Sequence, residues 1–177
     1  MSEEKVFILK SSAFENGGII PEKYTELNQV SPPLSWENAP AGTQSFALAV
    51  TDPDVPALLN FPRCFAHWLI YNIPASYNKL PEGASPAGDI PAGAKELNSD
   101  FVTAFHAPGF QAGYGAPWPP DAAHRYVFTL YALKSANLGI PGDADYVEFA
   151  KIILPQTITT ATLIGCYGPA KKPLPGA

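Results

Sequence analysis

Three residues of this chain are of types that could act together chemically: Asp52, His67 and His124. Each lies at the end of a run rich in apolar and aromatic side chains. Asp52 follows Ser45–Thr51, His67 comes early in Phe65–Asn72, and His124 opens His124–Leu133. A carboxylate beside an imidazole keeps or raises its proton affinity and fixes its tautomer. A protonated imidazole is a good partner for a phosphate-like anion, with the carboxylate orienting the ring rather than touching the ligand. The same trio could serve a hydrolase-type enzyme as a general base or a metal site. However, the chain has no G-x-S-x-G elbow and no H-E-x-x-H spacing. The expectation is therefore an anion-binding pocket with no catalytic role, no metal and no cofactor, and the enzyme is the alternative. His106, the third histidine, falls in no motif and reads as a surface or structural residue.

The elements that must position these residues read as strands. In Ser45–Thr51, Phe46, Leu48 and Val50 share a face by strict alternation. In Phe65–Asn72 the same rule puts His67, Leu69 and Tyr71 on one face and Trp68, Ile70 and Asn72 on the other. In His124–Leu133 it puts Tyr126, Phe128 and Leu130 on the face of His124 and turns Arg125 away, where Asp54 could pair with it. The near-continuous apolar character of the three predicts a central sheet covered on both faces. Val6–Lys10 reads as a first strand and Asp143–Leu154 as a helix, opened by acidic residues and stopped by Pro155. Gln156–Ile164 suits a further helical turn or a strand equally well. Between these runs lie long irregular stretches, Pro74–Ala94 and Thr103–Ala123, of a length that tends to be functional.

The 177 residues fit one domain, 1–177. Proline accounts for 20 of the 177, about 11% against a usual ~5%, which disfavours long helices. A net charge of −5 with only 11 basic residues argues against a nucleic-acid partner and against a polybasic membrane patch. The only apolar run near the start, Val6–Leu9, is too short for a signal-peptide core or a membrane span. A cytoplasmic protein without integral membrane association is expected, with Cys64 and Cys166 as free thiols.

Three ordered motifs add to this reading. They are Asp52-Pro53-Asp54-Val55-Pro56; His67-Trp68 through Asn72-Ile73-Pro74; and Gly113-Tyr114, Pro117 and Pro119-Pro120 leading into His124-Arg125-Tyr126. With Ser31-Pro32-Pro33-Leu34-Ser35-Trp36 and Gly165-Cys166-Tyr167, the set resembles the phosphatidylethanolamine-binding protein family, in its bacterial and archaeal branch, from about Phe14 to Tyr167. The resemblance implies a mainly β fold, with a central antiparallel sheet flanked by a smaller sheet and a C-terminal helical segment. It also implies a pocket for phosphate-like groups at one end of the sheet. Carried over residue by residue, that pocket comprises Asp52, His67 and His124, with Tyr126 and the backbone of Gly115, Ala116 and Pro117 lining or neighbouring it. Gly115 is expected to let the backbone approach the ligand. Implied partners are a small phosphorylated or anionic ligand and a protein kinase or serine protease under inhibition, with a homodimer as a further expectation. A phospholipid is disfavoured, because no apolar or basic docking surface is evident. One departure from the family pattern concerns the pocket: Trp118 stands where bacterial relatives often have cysteine. In a proline-stiffened loop it is expected to wall the pocket mouth rather than anchor the loop in the core.

Overall fold

The computed structural model describes residues 5–26 and 28–169. Among the described residues, nine strands form two sheets. The smaller has the order β1 (Ile8–Lys10), β3 (Leu34–Glu37), β6 (Lys79–Leu80), all antiparallel. The larger runs β2 (Gly18–Ile19), β9 (Thr157–Tyr167), β8 (His124–Leu133), β4 (Ser45–Asp52), β5 (Phe65–Pro74), β7 (Lys95–Glu96). Every pairing in it is antiparallel except β2 with β9. Helices are few: α1 (Ala84–Ala87), α2 (Asp100–Thr103) and α3 (Tyr146–Ile153). This is the mainly β architecture expected from the sequence.

Both faces of the large sheet are covered, as the apolar runs require. On one face Phe46, Leu48, Val50, Phe128 and Leu130 meet Leu34, Trp36 and Leu80 of the small sheet. On the other, Ala47, Ala49, Leu69 and Leu133 pack under Phe149 and Ile153 of α3. The helix starts at Asp145, whose carboxylate accepts the Glu148 N–H at 3.0 Å. It then tightens into a 3-10 turn at Leu154–Gln156 and leads directly into β9. The ambiguous stretch after Pro155 is therefore a strand. It pairs with β8 from His124↔Tyr167 to Leu133↔Thr157, and its Thr and Ile side chains suit a pleated, half-buried surface.

Strict alternation in β5 fails twice, each time at a bulge. Val50 faces Trp68 while the next residue, Thr51, faces Ala66, so His67 is the extra residue. One inserted residue reverses parity. Ala66 joins Leu69 and Tyr71 in the core beneath α3. The His67 ring turns to the opposite face and meets Tyr126 edge-on at 5.1 Å. The expectation that His67 shares the face of Leu69 and Tyr71 is thus corrected. The second bulge lies between Phe46↔Ile73 and Leu48↔Ile70 and includes Asn72, whose φ of 56° is left-handed. Asn72 does not share the face of Trp68 and Ile70. Its amide oxygen accepts from Leu138 N–H at 2.8 Å and its amide nitrogen donates to Leu138 O at 3.2 Å, tying β5 to the loop before α3.

Candidate functional site

The sheet ends that carry the motifs meet at one place. β4 ends at Asp52 and β8 begins at His124, next to one another across an antiparallel pair whose last rung is Thr51↔Val127. The Asp52 carboxylate is buried and used twice. Oδ1 accepts the Asp54 N–H at 2.7 Å, a local turn that aspartate favours. Oδ2 accepts from His124 Nδ1 at 2.6 Å. Asp54 in turn grips the neighbouring residue, accepting from Arg125 N, Nε and Nη2 at 2.9, 2.9 and 2.8 Å. The Arg125 guanidinium holds the Asp54 carboxyl down at about 2. Asp52-Pro53-Asp54 therefore clamps His124-Arg125 from both faces of the strand.

His124 is held from its other side too, since Nε2 donates to Asp121 Oδ1 at 2.8 Å. Both ring nitrogens face carboxylate acceptors, so both carry protons and the ring is an imidazolium. Burial works against that charge, but the hydrogen bonds to Asp52 and Asp121 outweigh it and raise the pKa above the ordinary value of 6.5. His67 is the reverse case. It is wholly buried, and desolvation pushes its pKa down. Its Nδ1 lies 2.6 Å from Gly115 O, and the Gly115 N–H donates back to His67 O at 2.7 Å. A carbonyl only accepts, so Nδ1 carries the proton and neutral His67 keeps a lone pair at Nε2.

Asp52, His67, His124 and Tyr126 line one cavity of about 120 Å³. Its remaining walls are apolar: Phe65 and Phe101 inside, with Leu59, Phe105 and Trp118 towards solvent. Tyr126 is buried, its hydroxyl forms no hydrogen bond among the described residues, and burial pushes its pKa up. Larger surface grooves exist, one of about 940 Å³ beside Arg63 and α3. No histidine lines that groove, and Arg63 there is committed to Asp100.

The structure thus brings together four of the seven residues expected at the site. Gly115, Ala116 and Pro117 do not line the cavity. Gly115 and Ala116 neighbour it instead, since the backbone of both acts on the His67 ring, while the Ala116 N–H donates to Gln29 Oε1 at 3.1 Å and Pro117 O accepts the Glu26 N–H at 3.1 Å. The reason for glycine at 115 is Phe101. A Cβ there would stand 2.7 Å from Phe101 Cδ2 and 2.9 Å from Ser99 Oγ, so the ring that walls the cavity can close down on bare backbone. Gly115→Ala is expected to cost about 1–3 kcal/mol in a urea melt through overpacking, and to loosen the cavity wall.

Several participants escaped the sequence reading. Asp121 was visible as the sole acid between Pro120 and His124. Phe65, Phe101 and Phe105 come from β5 and the α2 region, and only the fold unites them. Phe101 meets Phe65 edge-on at 4.8 Å and His67 at 5.4 Å. Trp118 is 56% exposed and lines the mouth, the position of a wall rather than a core anchor. Trp118→Cys should accordingly cost below about 1.5 kcal/mol in a thermal melt, where a buried indole would cost about 3 or more. Arg125 pairs with Asp54 as its parity suggested. Cys64 and Cys166 are free.

Comparison with known proteins agrees with this fold. Residues 10–168 match the family model of the phosphatidylethanolamine-binding protein. A UPF0098 protein of Methanothermobacter thermautotrophicus is 36% identical over 160 residues, covering 90% of this chain and 97% of the relative. The crystal structure of Escherichia coli YbcL, described as a member of the mammalian PEBP family, superposes with a TM-score of 0.80 at 28% identity over 92% of this chain and 98% of that one. CT736 of Chlamydia trachomatis, described as a homologue of the same family, gives 0.78 at 33% identity over 93% and 98%. The chain belongs to the phosphatidylethanolamine-binding protein family.

Proposed function

We propose that this protein binds a small, singly protonated oxyanion, of the hydrogen phosphate or phosphate monoester kind, and does not transform it. The observation that carries this reading is the pair of unlike imidazoles on one cavity. His124 supplies a positive charge and an Nε2–H donor, which Asp121 occupies in this structure, while neutral His67 supplies an Nε2 acceptor. A hydrogen phosphate group offers the matching set, with oxygens that accept from His124 and a P–OH that donates to His67. The apolar walls would take the body that carries the group.

Binding is favoured over catalysis by the cavity lining, which offers no serine, threonine, cysteine or lysine. Asp52, a further nucleophile or base, is spent on His124 and Asp54. One observation keeps the alternative open. The His67 Nε2 lone pair could act as a general base, and turnover of a phosphate or carboxylate ester that disappears in His67→Gln would favour that reading. A protein partner, a kinase or serine protease included, would read occupancy at the exposed rim of Leu59, Phe105 and Trp118. Leu59→Ser should then weaken such a complex while leaving the melting temperature nearly unchanged.

Calorimetric titration with phosphate and sulfate is the test. Sulfate carries no proton at neutral pH, so it must first protonate a histidine whose pKa is depressed. Phosphate is expected to bind more tightly than sulfate at pH 7, and sulfate to gain more as the pH falls from 8 to 6. Equal affinities that do not change with pH would contradict the assignment of His67 as acceptor.

A further inference from the structure

The least fixed group at the site is Asp121. The second carboxylate on His124, Asp52, is buried and locked by the Asp54 N–H. Asp121 is half-exposed, lies in the irregular segment between Pro120 and β8, and reaches His124 Nε2 at 2.8 Å. The donor it occupies is the one an oxyanion ligand needs. The formal charges at the cavity are minus one each for Asp52 and Asp121, plus one for His124 and zero for His67. Of the charged groups packed beside it, Asp54 pairs with Arg125 and Asp100 with Arg63, which Asp145 also approaches at 3.9 Å. With Asp121 in place the cavity carries a net −1, which opposes a further anion. With Asp121 withdrawn the balance is zero.

We propose that Asp121 is an internal stand-in for the ligand. Its carboxylate holds His124 Nε2 while the site is empty and leaves when a ligand oxyanion arrives, so that binding exchanges one anion for another. This rests on the reading of the cavity as an oxyanion site and adds its selectivity. A bare inorganic ion gains little beyond what Asp121 already provides. An oxyanion on an apolar body also gains the contacts of Phe101, Phe105 and Trp118, and so can displace it. The device makes the site discriminate against abundant small anions in favour of organic ones. The loop is suited to this role because Pro119 and Pro120 restrict its backbone, so that the carboxylate returns to the same place.

The test compares wild type with Asp121→Asn, using inorganic phosphate and butyl phosphate as probes. Asparagine keeps the size of the side chain and removes the charge that competes and repels. Inorganic phosphate should bind about five- to tenfold more tightly to Asp121→Asn, the scale of one charge-assisted hydrogen bond in a partly exposed setting. The preference of wild type for butyl phosphate over inorganic phosphate should shrink. In wild type, the carboxyl carbon signal of Asp121 and the Nε2 signal of His124 should shift together in NMR as phosphate is added. If wild type binds phosphate and Asp121→Asn binds it no more tightly, or if the Asp121 signal stays put during the titration, the exchange is wrong; oxyanion binding then stands, but without His124 Nε2 as its free donor. If neither protein binds either probe, both fall together.

Discussion

Replacing Asp52 by Asn is expected to abolish oxyanion binding near neutral pH and to lower stability by about 2–3 kcal/mol. The asparagine oxygen can still accept the Asp54 N–H, but its amide then faces the His124 Nδ1–H, donor against donor, in a buried place. The imidazolium loses its main support, so the His124 pKa falls and the ring becomes neutral in the range where it should meet an anion. The pH dependence of stability identifies the cause. In wild type the folded-state pKa of His124 is raised, so its stabilisation is fully present below the unfolded value of about 6.5 and is lost as pH rises through the raised folded value. His67 has the opposite sign. Its folded pKa is depressed, so stability is present above about 6.5 and is lost as pH falls from there towards the folded value. Urea melts from pH 5 to 9 should show a decline on both flanks. In Asp52→Asn the alkaline decline should flatten while the acid decline persists. An unchanged alkaline flank would show that His124 is not the group responsible.

The largest loss of stability is expected from Asp100→Ala, about 3–5 kcal/mol, as for removal of one partner from a buried pair. Asp100 is 1% exposed and carries four hydrogen bonds. It accepts from Arg63 Nη1 and Nη2, from the Ala66 N–H at 2.7 Å and from Thr103 Oγ at 2.8 Å. It thereby fixes the start of β5, one residue before the bulged His67, and the turn of α2 that presents Phe101. The variant should lose affinity for phosphate as well as stability, because the acceptor histidine and the apolar wall both depend on this carboxylate. A urea melt showing a loss below about 1 kcal/mol would mean that the Arg63–Asp100 pair is dispensable.

Much of this arrangement was legible in the residues. Alternation over Ser45–Thr51 and His124–Leu133 places Asp52, His124 and Tyr126 correctly, because those strands pair without interruption on the β4–β8 side. The same rule misplaces His67, since a bulge adds one residue and no side-chain pattern announces it. The bulge is nonetheless what swings the ring over to Tyr126. Gln156–Ile164 stayed open because Thr and Ile fit a strand while the preceding helix gives no firm stop, and pairing with β8 decides it. Gly115 was recognisable as a close-approach position, but what approaches is Phe101, about fourteen residues earlier in the chain. The apolar wall is a product of tertiary assembly, drawn from segments around 59, 65, 101, 105 and 118. Asp121 was in plain view, yet its meaning depends on how the loop turns its carboxylate onto His124.

In the proposed function His124 is a charged donor and His67 a neutral acceptor on one oxyanion-binding cavity. Nitrogen-15 NMR of the two imidazoles, recorded with and without phosphate at pH 7, tests it most directly. His124 should show two protonated nitrogens throughout. His67 should show one, at Nδ1, and both Nε2 signals should shift when phosphate is added. A neutral His124, or a charged His67, or phosphate leaving both Nε2 signals unmoved, would contradict it.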